Sequence, residues 1–462
     1  MDAIAELSAR LGPRGLLTGA DVAGHAGDWT GKFTARPMAV ARPAATAEVA
    51  DTLRIAARHG LAVVPAGGRT GLVGGTMTEG GLMLALDRMD RIRALKPGAR
   101  VLVAEAGCIL SRLHEAAADH GLDFPLWFGA RGSATVGGAL STNAGGSNVL
   151  RHGSARALCL GLEVVLADGR VLDLMGELHK DNSGYALRDL FIGAEGTLGV
   201  ITAAVLRLVP APQARATAWV ALRALPDALD LLNRLQAASG GAVEALEYLS
   251  PAYLARLAAA RPDLAAPGPV PPVTVLAELT SPDPSAGPAL SAVLEEVLAA
   301  LHDTGAVLDA AIAASLAQRA AFWARREAAA EVTFARKPFV DTDIALPLDT
   351  LADFLDAMPA RLAALDPFAE PMAIAHLGDG NIHFTVYPGR ADPVLADAIV
   401  AAVEDEVTAR RGSFSAEHGV GLSKLPSMAR RKDPVALAVM RAIKAALDPE
   451  GRMNPGKVLP PV

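Results

Sequence analysis

The sequence is short of several things, and each shortage excludes a class of protein. Only two of its 462 residues are cysteine, Cys108 and Cys159. Two thiols cannot build a disulfide framework, and they read as small buried hydrophobes in a reducing compartment. No run of about 18 uninterrupted apolar residues occurs, so no transmembrane helix is expected. The first residues carry Asp2 and Glu6 with no apolar stretch, so no secretory signal is visible. A cytoplasmic protein follows, with peripheral membrane association left open. Basic residues are outnumbered 43 to 50, and no basic domain stands out, which argues against nucleic acid as a partner. A Walker G-x-x-x-x-G-K-[ST] loop is absent, as is a Rossmann G-x-G-x-x-G between strand and helix.

What is plentiful is glycine, 44 residues, and proline, 31, with no fixed period. They mark turns and close backbone approaches in a chain long enough for about two to four domains. Thr46–Gly60 reads as a helix with Thr46 as N-cap and Gly60 just past its end. Leu61–Val64 is a buried strand broken by Pro65, and Gly81–Leu86 and Val101–Ala104 are further strands. A helix is expected over Leu110–His120. Leu162–Leu166 and Val171–Leu174 flank Asp168-Gly169, the signature of a hairpin. Beyond Pro210 the chain turns alanine- and leucine-rich, with helical patterns over Ala289–Gly305 and Ala314–Val332. Pro262–Pro272 reads as a surface loop.

Glycine loops that follow strands suit phosphate, because backbone N–H groups can converge on an anion where no Cβ intervenes. Two dense clusters, at 65–75 and 129–146, would suit a diphosphate-bearing cofactor. Ser133, Thr135, Ser141, Thr142 and Asn143 add hydroxyl and amide partners. Taken singly, any of these glycines would be an ordinary turn.

PAGGRTGL, the run GARGSATVGGALSTNAGG followed by RHG, and FIGAEGTLGVIT closely resemble the FAD-binding domain of the vanillyl-alcohol-oxidase-type flavoproteins. Within that superfamily the chain resembles the D-2-hydroxyacid dehydrogenases: D-lactate dehydrogenase, D-2-hydroxyglutarate dehydrogenase and the glycolate oxidase subunit. The resemblance implies an α+β protein with a two-subdomain, PCMH-type FAD-binding domain and a cap domain of antiparallel sheet and flanking helices. The expected divisions are an N-terminal segment 1–35, the FAD-binding domain 36–213, the cap 214–410, and a segment 411–462 returning to the FAD domain. By match, Ala66, Gly67, Gly68, Arg69, Thr70 and Gly71 would meet the FAD diphosphate. Gly132, Ser133, Thr135, Gly138, Ser141 and Thr142 would line the diphosphate and flavin region. Gly196, Val200 and Ile201 would border the adenine side, and Asn454 the isoalloxazine. Arg69 cannot form the covalent link that a His or Cys makes in some relatives, so FAD is expected to be non-covalent.

HLGDGNIH sets His376 and His383 seven residues apart across a Gly-Asp-Gly turn, and SAEHGVG supplies Glu417 and His418. Two imidazoles and a carboxylate could hold Zn²⁺ or a similar divalent ion, although a strand histidine is as often structural. The family resemblance implies His376, His383 and Glu417 as metal ligands and His418 as the general base. It further implies oxidation of a D-2-hydroxy acid to the 2-oxo acid, with hydride transfer to flavin N5. Arg326, in the W-x-x-R-E pattern, would anchor the substrate carboxylate. The electron acceptor would be a quinone, an electron-transfer flavoprotein or a cytochrome, and relatives suggest a homodimer.

The hydroxyglutarate branch of the family has a Thr four residues after that arginine, a Lys two residues before the D-[ILV]-x-[ILV]-P strand, and an Asn two residues after the second His. Here those positions read Ala330, Asp341 and Thr385, with Lys337 nearby. An Asp repels a second carboxylate, so the expected substrate is D-lactate or a related D-2-hydroxy acid. D-2-Hydroxyglutarate is the alternative. A sugar-lactone oxidase, a non-catalytic flavin subunit of a glycolate-oxidase-like complex and a metal-dependent hydrolase explain the motifs less completely.

Overall fold

A computed structural model describes residues 2–461. The chain forms an α+β protein of two compact units. The first comprises Met1–Gly145, Gly153–Ala211 and Glu417–Val462; the second comprises Gly146–His152 and Pro212–Ala416. The excursion 146–152 departs from the sequence expectation, which kept it with the FAD-binding stretch. A buried carboxylate explains it: Glu244 accepts from Arg151 Nη1 at 2.7 Å, with His152 Nε2 at 3.4 Å. The second unit also runs past 410, since Ser413 pairs with Ala345 and Ala416 N–H donates to Asp343 O at 3.2 Å.

The first unit holds two main sheets and a short two-stranded pair, Leu122–Asp123 with Val209–Pro210. Ala39–Ala41, Leu82–Ala85 and Val63–Ala66 run parallel, with Leu16–Thr18 added antiparallel at one edge. The helix Thr46–Arg58 makes the crossover from Ala39–Ala41 to Val63–Ala66, the two parallel strands that flank Leu82–Ala85. It buries Val49, Leu53 and Ala56, and Gly60 follows it at φ +63°. Its N-cap is Ala45; the Thr46 hydroxyl instead donates to Glu163 Oε1 at 2.6 Å, drawn away by a half-buried carboxylate. The C-terminal segment docks on the outer strand, where Val63 N–H donates to Arg452 O and Asn454 N–H to Val63 O.

The second sheet is antiparallel, in the order Ile92–Lys96, Val101–Glu105, Val200–Arg207, Cys159–Val165, Val171–Leu174. Its last pair is the expected hairpin, with Gly169 at φ +80° and Asp168 accepting from Arg170 N–H. Cys108 and Cys159 are both buried and neither forms a disulfide. Burial pushes their thiols up to about 11 and about 12, which leaves them inert at neutral pH.

The second unit is a seven-stranded antiparallel sheet. Its strand order is Val307–Ile312, Ala214–Leu222, Val273–Ser281, Val243–Leu249, Glu370–His376, Asn381–Tyr387, Val340–Ala345. Alternation assigns each face a role. One face carries Val220, Val275, Leu246, Ala375, Phe384 and Ile344, packed in a core with Leu231, Leu294, Phe354 and Ile399 of four helices. The opposite face carries Glu278, Glu247, His376, His383 and Asp343, and the helix Leu316–Glu327 supplies partners to it. The single helix expected over Ala314–Val332 is two, Leu316–Glu327 and Ala329–Phe334, broken at Ala328 with ψ near 0°. Among the described residues, no helix is long and apolar enough to cross a membrane.

Candidate active site and flavin cradle

In the first unit the two glycine clusters meet backbone to backbone. Ala66 ends a buried strand, and Gly67 and Gly68 follow it directly. A Cβ on Gly67 would strike Thr135 Oγ1, and one on Gly68 would lie 2.9 Å from the carbonyl carbon of Ser133. Thr135 also caps the helix Val136–Ser141, its hydroxyl accepting from Gly138 N–H at 3.4 Å. Gly71 and Gly132 face open space instead, since an added Cβ there meets nothing within 4 Å. Gly132 and Ser133 are exposed, and Thr70 is half-buried. A bare backbone cradle of this kind fits a diphosphate. Arg69 sits at φ +55° with Nη1 donating to Gly24 O at 2.6 Å, which fixes the loop from outside.

Several residues matched to the cofactor make contacts within the scaffold. The Thr142 hydroxyl donates to Gly138 O at 3.1 Å, and Ser141 O accepts from Glu195 N–H. Gly196, at φ +72°, lies against the Pro65 ring. Val200 and Ile201 are core residues, paired with Val165 and Val164. Asn454 is buried at φ +41°; its amide donates to Gly75 O at 3.1 Å and Glu195 O at 2.6 Å, clamping two loops.

Glu195, which the sequence reading passed over, holds the turn after His418. Its carboxylate accepts from Val420 N–H at 2.7 Å and Gly421 N–H at 2.9 Å. Burial pushes its pKa up, and those two donors only partly oppose the shift. Glu417 and His418 open the return of the chain into this unit, directly after Ala416.

In the second unit the hairpin around Gly378–Gly380 pairs His376 with Asn381, so His383 stands diagonally across on the same face. The two rings lie 5.6 Å apart, nearly perpendicular. His383 Nδ1 is 3.9 Å from Asp343 Oδ1, and Asn381 Nδ2 donates to the same oxygen at 2.9 Å. Glu247, opposite His376 in register, is wholly buried. Its Oε1 pairs with His376 Nδ1 at 2.7 Å and its Oε2 accepts from Arg326 Nε at 2.6 Å. Burial works against its charge, but His376 and Arg326 outweigh that and hold the carboxyl down at about 2. Arg326 Nη2 lies 3.4 Å from His376 Nε2. Arg325 turns away, donating to Leu264 O and stacking over Trp219. The donor set fits a divalent metal: two imidazoles on one sheet face, one with its far nitrogen held by a carboxylate.

Residues 211–458 match the family of FAD linked oxidases, C-terminal domain, and residues 37–175 match an FAD binding domain. The chain belongs to the FAD-linked oxidase family. It is an FAD-dependent oxidoreductase of the D-2-hydroxyacid dehydrogenase group. It is 38 % identical to a mitochondrial D-2-hydroxyglutarate dehydrogenase of Bos taurus, over 94 % of this chain and 79 % of that one. It is 36 % identical to a D-2-hydroxyglutarate dehydrogenase of Xanthomonas citri pv. viticola, over 95 % of this chain and 93 % of that one. Among solved structures, p-cresol methylhydroxylase aligns with a TM-score of 0.75 at 16 % identity, covering 98 % of this chain and 96 % of that one. A 4-ethylphenol oxidase from Gulosibacter chungangensis aligns with a TM-score of 0.72 at 20 % identity, covering 99 % and 97 %. Both share the fold, and at that identity the likeness extends no further.

Proposed function

We propose that this flavoprotein oxidises a D-2-hydroxy acid carrying one carboxylate and a small or apolar tail, such as D-lactate, to the 2-oxo acid. The observation that carries the reading is the juxtaposition of Arg326 with His376, beside His383, on one sheet face. A cation next to two imidazoles suits a substrate whose carboxylate and hydroxyl sit on neighbouring carbons. Arg326 uses Nε to reach Glu247, which leaves its terminal nitrogens to pair with the carboxylate in a fork. His376, His383 and Glu417 would hold a divalent metal, zinc fitting the donor types best, and the metal would supply a Lewis acid. His418 would take the hydroxyl proton, a task suited to an imidazole near neutrality. Non-covalently bound FAD would supply the two-electron acceptor. Gly67, Gly68, Gly71, Gly132 and Ser133 would hold its diphosphate.

The tail preference rests on Asp341, whose Oδ1 accepts from the Thr385 hydroxyl at 2.7 Å, and on Ala330, which offers no hydroxyl. A second carboxylate near that Asp would be repelled. D-2-Hydroxyglutarate is the second reading, favoured by the names of the relatives. Steady-state turnover with an artificial dye acceptor separates the two. The proposal expects kcat/KM for D-lactate or D-2-hydroxybutyrate to exceed that for D-2-hydroxyglutarate. The reverse order would establish the second reading.

A further inference from the structure

Glu247 has no part in the chemistry assigned so far, yet it touches two of the residues that the second unit contributes to it, His376 and Arg326. It stands in the strand Val243–Leu249, every residue of which is buried and whose other carboxylate, Glu244, is held by Arg151 and Thr280. A carboxylate at such a position is strongly disfavoured unless each oxygen has a partner. Glu247 has them: His376 on Oε1 and Arg326 on Oε2. The first partner is set by strand register, the second by the last turn of the helix Leu316–Glu327.

We infer that Glu247 is a positioning residue that sets the tautomer of His376 and the orientation of Arg326 together, so that metal ligand and substrate anchor are prepared by one carboxylate. Accepting at Nδ1 requires that nitrogen to carry the proton. The lone pair then lies on Nε2, the nitrogen 3.4 Å from Arg326 Nη2. The same carboxylate fixes the guanidinium through Nε, with Nη2 set beside His376. The two functions share one support and are coupled through it, a dependence that separate supports would not produce.

The inference rests on the reading of His376 as a metal ligand, and the test keeps the two apart. Zinc affinity is measured on the flavin-loaded protein by competition with a chromogenic chelator, for the parent, His376→Ala, Glu247→Gln and Glu247→Asp. The carboxamide keeps the volume but offers a donor where one of the two partners also donates. Zinc affinity should fall about 10- to 100-fold in Glu247→Gln, in the range typical of a lost outer-sphere partner. KM for the 2-hydroxy acid should rise as well, with the flavin spectrum and melting temperature retained. In an Arg326→Ala background, Glu247→Gln should still weaken zinc but add little to KM, a split that general loosening of the fold would not give. Should Glu247→Gln fail to fold, Glu247→Asp carries the same expectation, because its shorter arm cannot reach both partners. Parent-like zinc affinity and KM in either folded variant would overturn the role of Glu247. Zinc affinity unchanged by His376→Ala would overturn the ligand reading beneath it.

Discussion

Substituting Gly68 by alanine tests the flavin cradle with a single methyl group. Gly68 does not lie in the left-handed region, so its backbone tolerates alanine and any effect is one of space. A Cβ there would stand 2.9 Å from the Ser133 carbonyl carbon and 3.1 Å from Ala134 Cα, and closer still to Ser133 O. Comfortable contact begins near about 3.5 Å. The neighbours are all backbone, so no rotamer relieves the clash, and the loops must part. Overpacking of this kind costs about 1–3 kcal/mol. Borne by the bound state, that is roughly a 5- to 150-fold weaker FAD complex. The assay is titration of deflavinated protein with FAD, with Gly98→Ala as control, because a Cβ on Gly98 meets nothing within 4 Å. A parent-like FAD affinity and melting temperature in Gly68→Ala would refute the claim that the two glycine loops form the cradle by mutual contact.

Asn454→Ala removes the amide that ties Gly75 O to Glu195 O. It should lower the melting temperature and FAD retention together, by the ~1–3 kcal/mol typical of orphaned buried acceptors, as read by differential scanning calorimetry. Glu244 gives a pH signature. Burial opposes its charge, but His152, Arg151 and Thr280 prevail and hold its carboxyl at about 2 against an ordinary 4.5. A depressed carboxyl contributes stability that is full above about pH 4.5 and lost as pH falls toward 2. That loss, roughly 3 kcal/mol by linkage, should appear as an acid slope in chemical denaturation that is shallower in Glu244→Gln. His418→Ala should retain the flavin bands while turnover falls by about 100-fold or more, as loss of a general base implies. Undiminished turnover would remove His418 from that role.

The local features of this fold were legible where one residue type had only one physical use. The Asp168-Gly169 hairpin and the close-packed Gly67-Gly68 pair are of that kind, because φ or missing volume dictates them. The strand expected over Leu61–Val64 and ended by Pro65 instead runs Val63–Ala66 through the proline, which an edge strand tolerates because it need not donate there. The break at Ala328 was not legible, since alanine continues a helix as readily as it ends one. Thr46 misled for a different reason: its hydroxyl found the carboxylate of Glu163, 117 positions away in sequence. The main omissions were acidic. Glu195, Glu247 and Asp343 each orient something that motif spacing had identified; Glu195 and Asp343 lay within recognised motifs without being singled out, and Glu247 lay in none. A signal for Glu244 and Glu247 was present, because charges inside the apolar strand VEALEYL need buried partners. Which partners those are depends on strand order, which local pattern does not encode. Asn454 shows the converse: matched as a cofactor neighbour, its side-chain amide works as a clamp between loops.

The central claim is that this chain passes two electrons from a D-2-hydroxy acid to FAD. Anaerobic titration of the purified flavoprotein with matched D- and L-acids, followed in the visible flavin bands, tests it most directly. The account predicts bleaching by D-lactate or another small D-2-hydroxy acid, with the 2-oxo acid formed in equal amount, and none by the L-enantiomer. Flavin bands that persist under every D-acid, or that bleach equally with the L-acids, would contradict it.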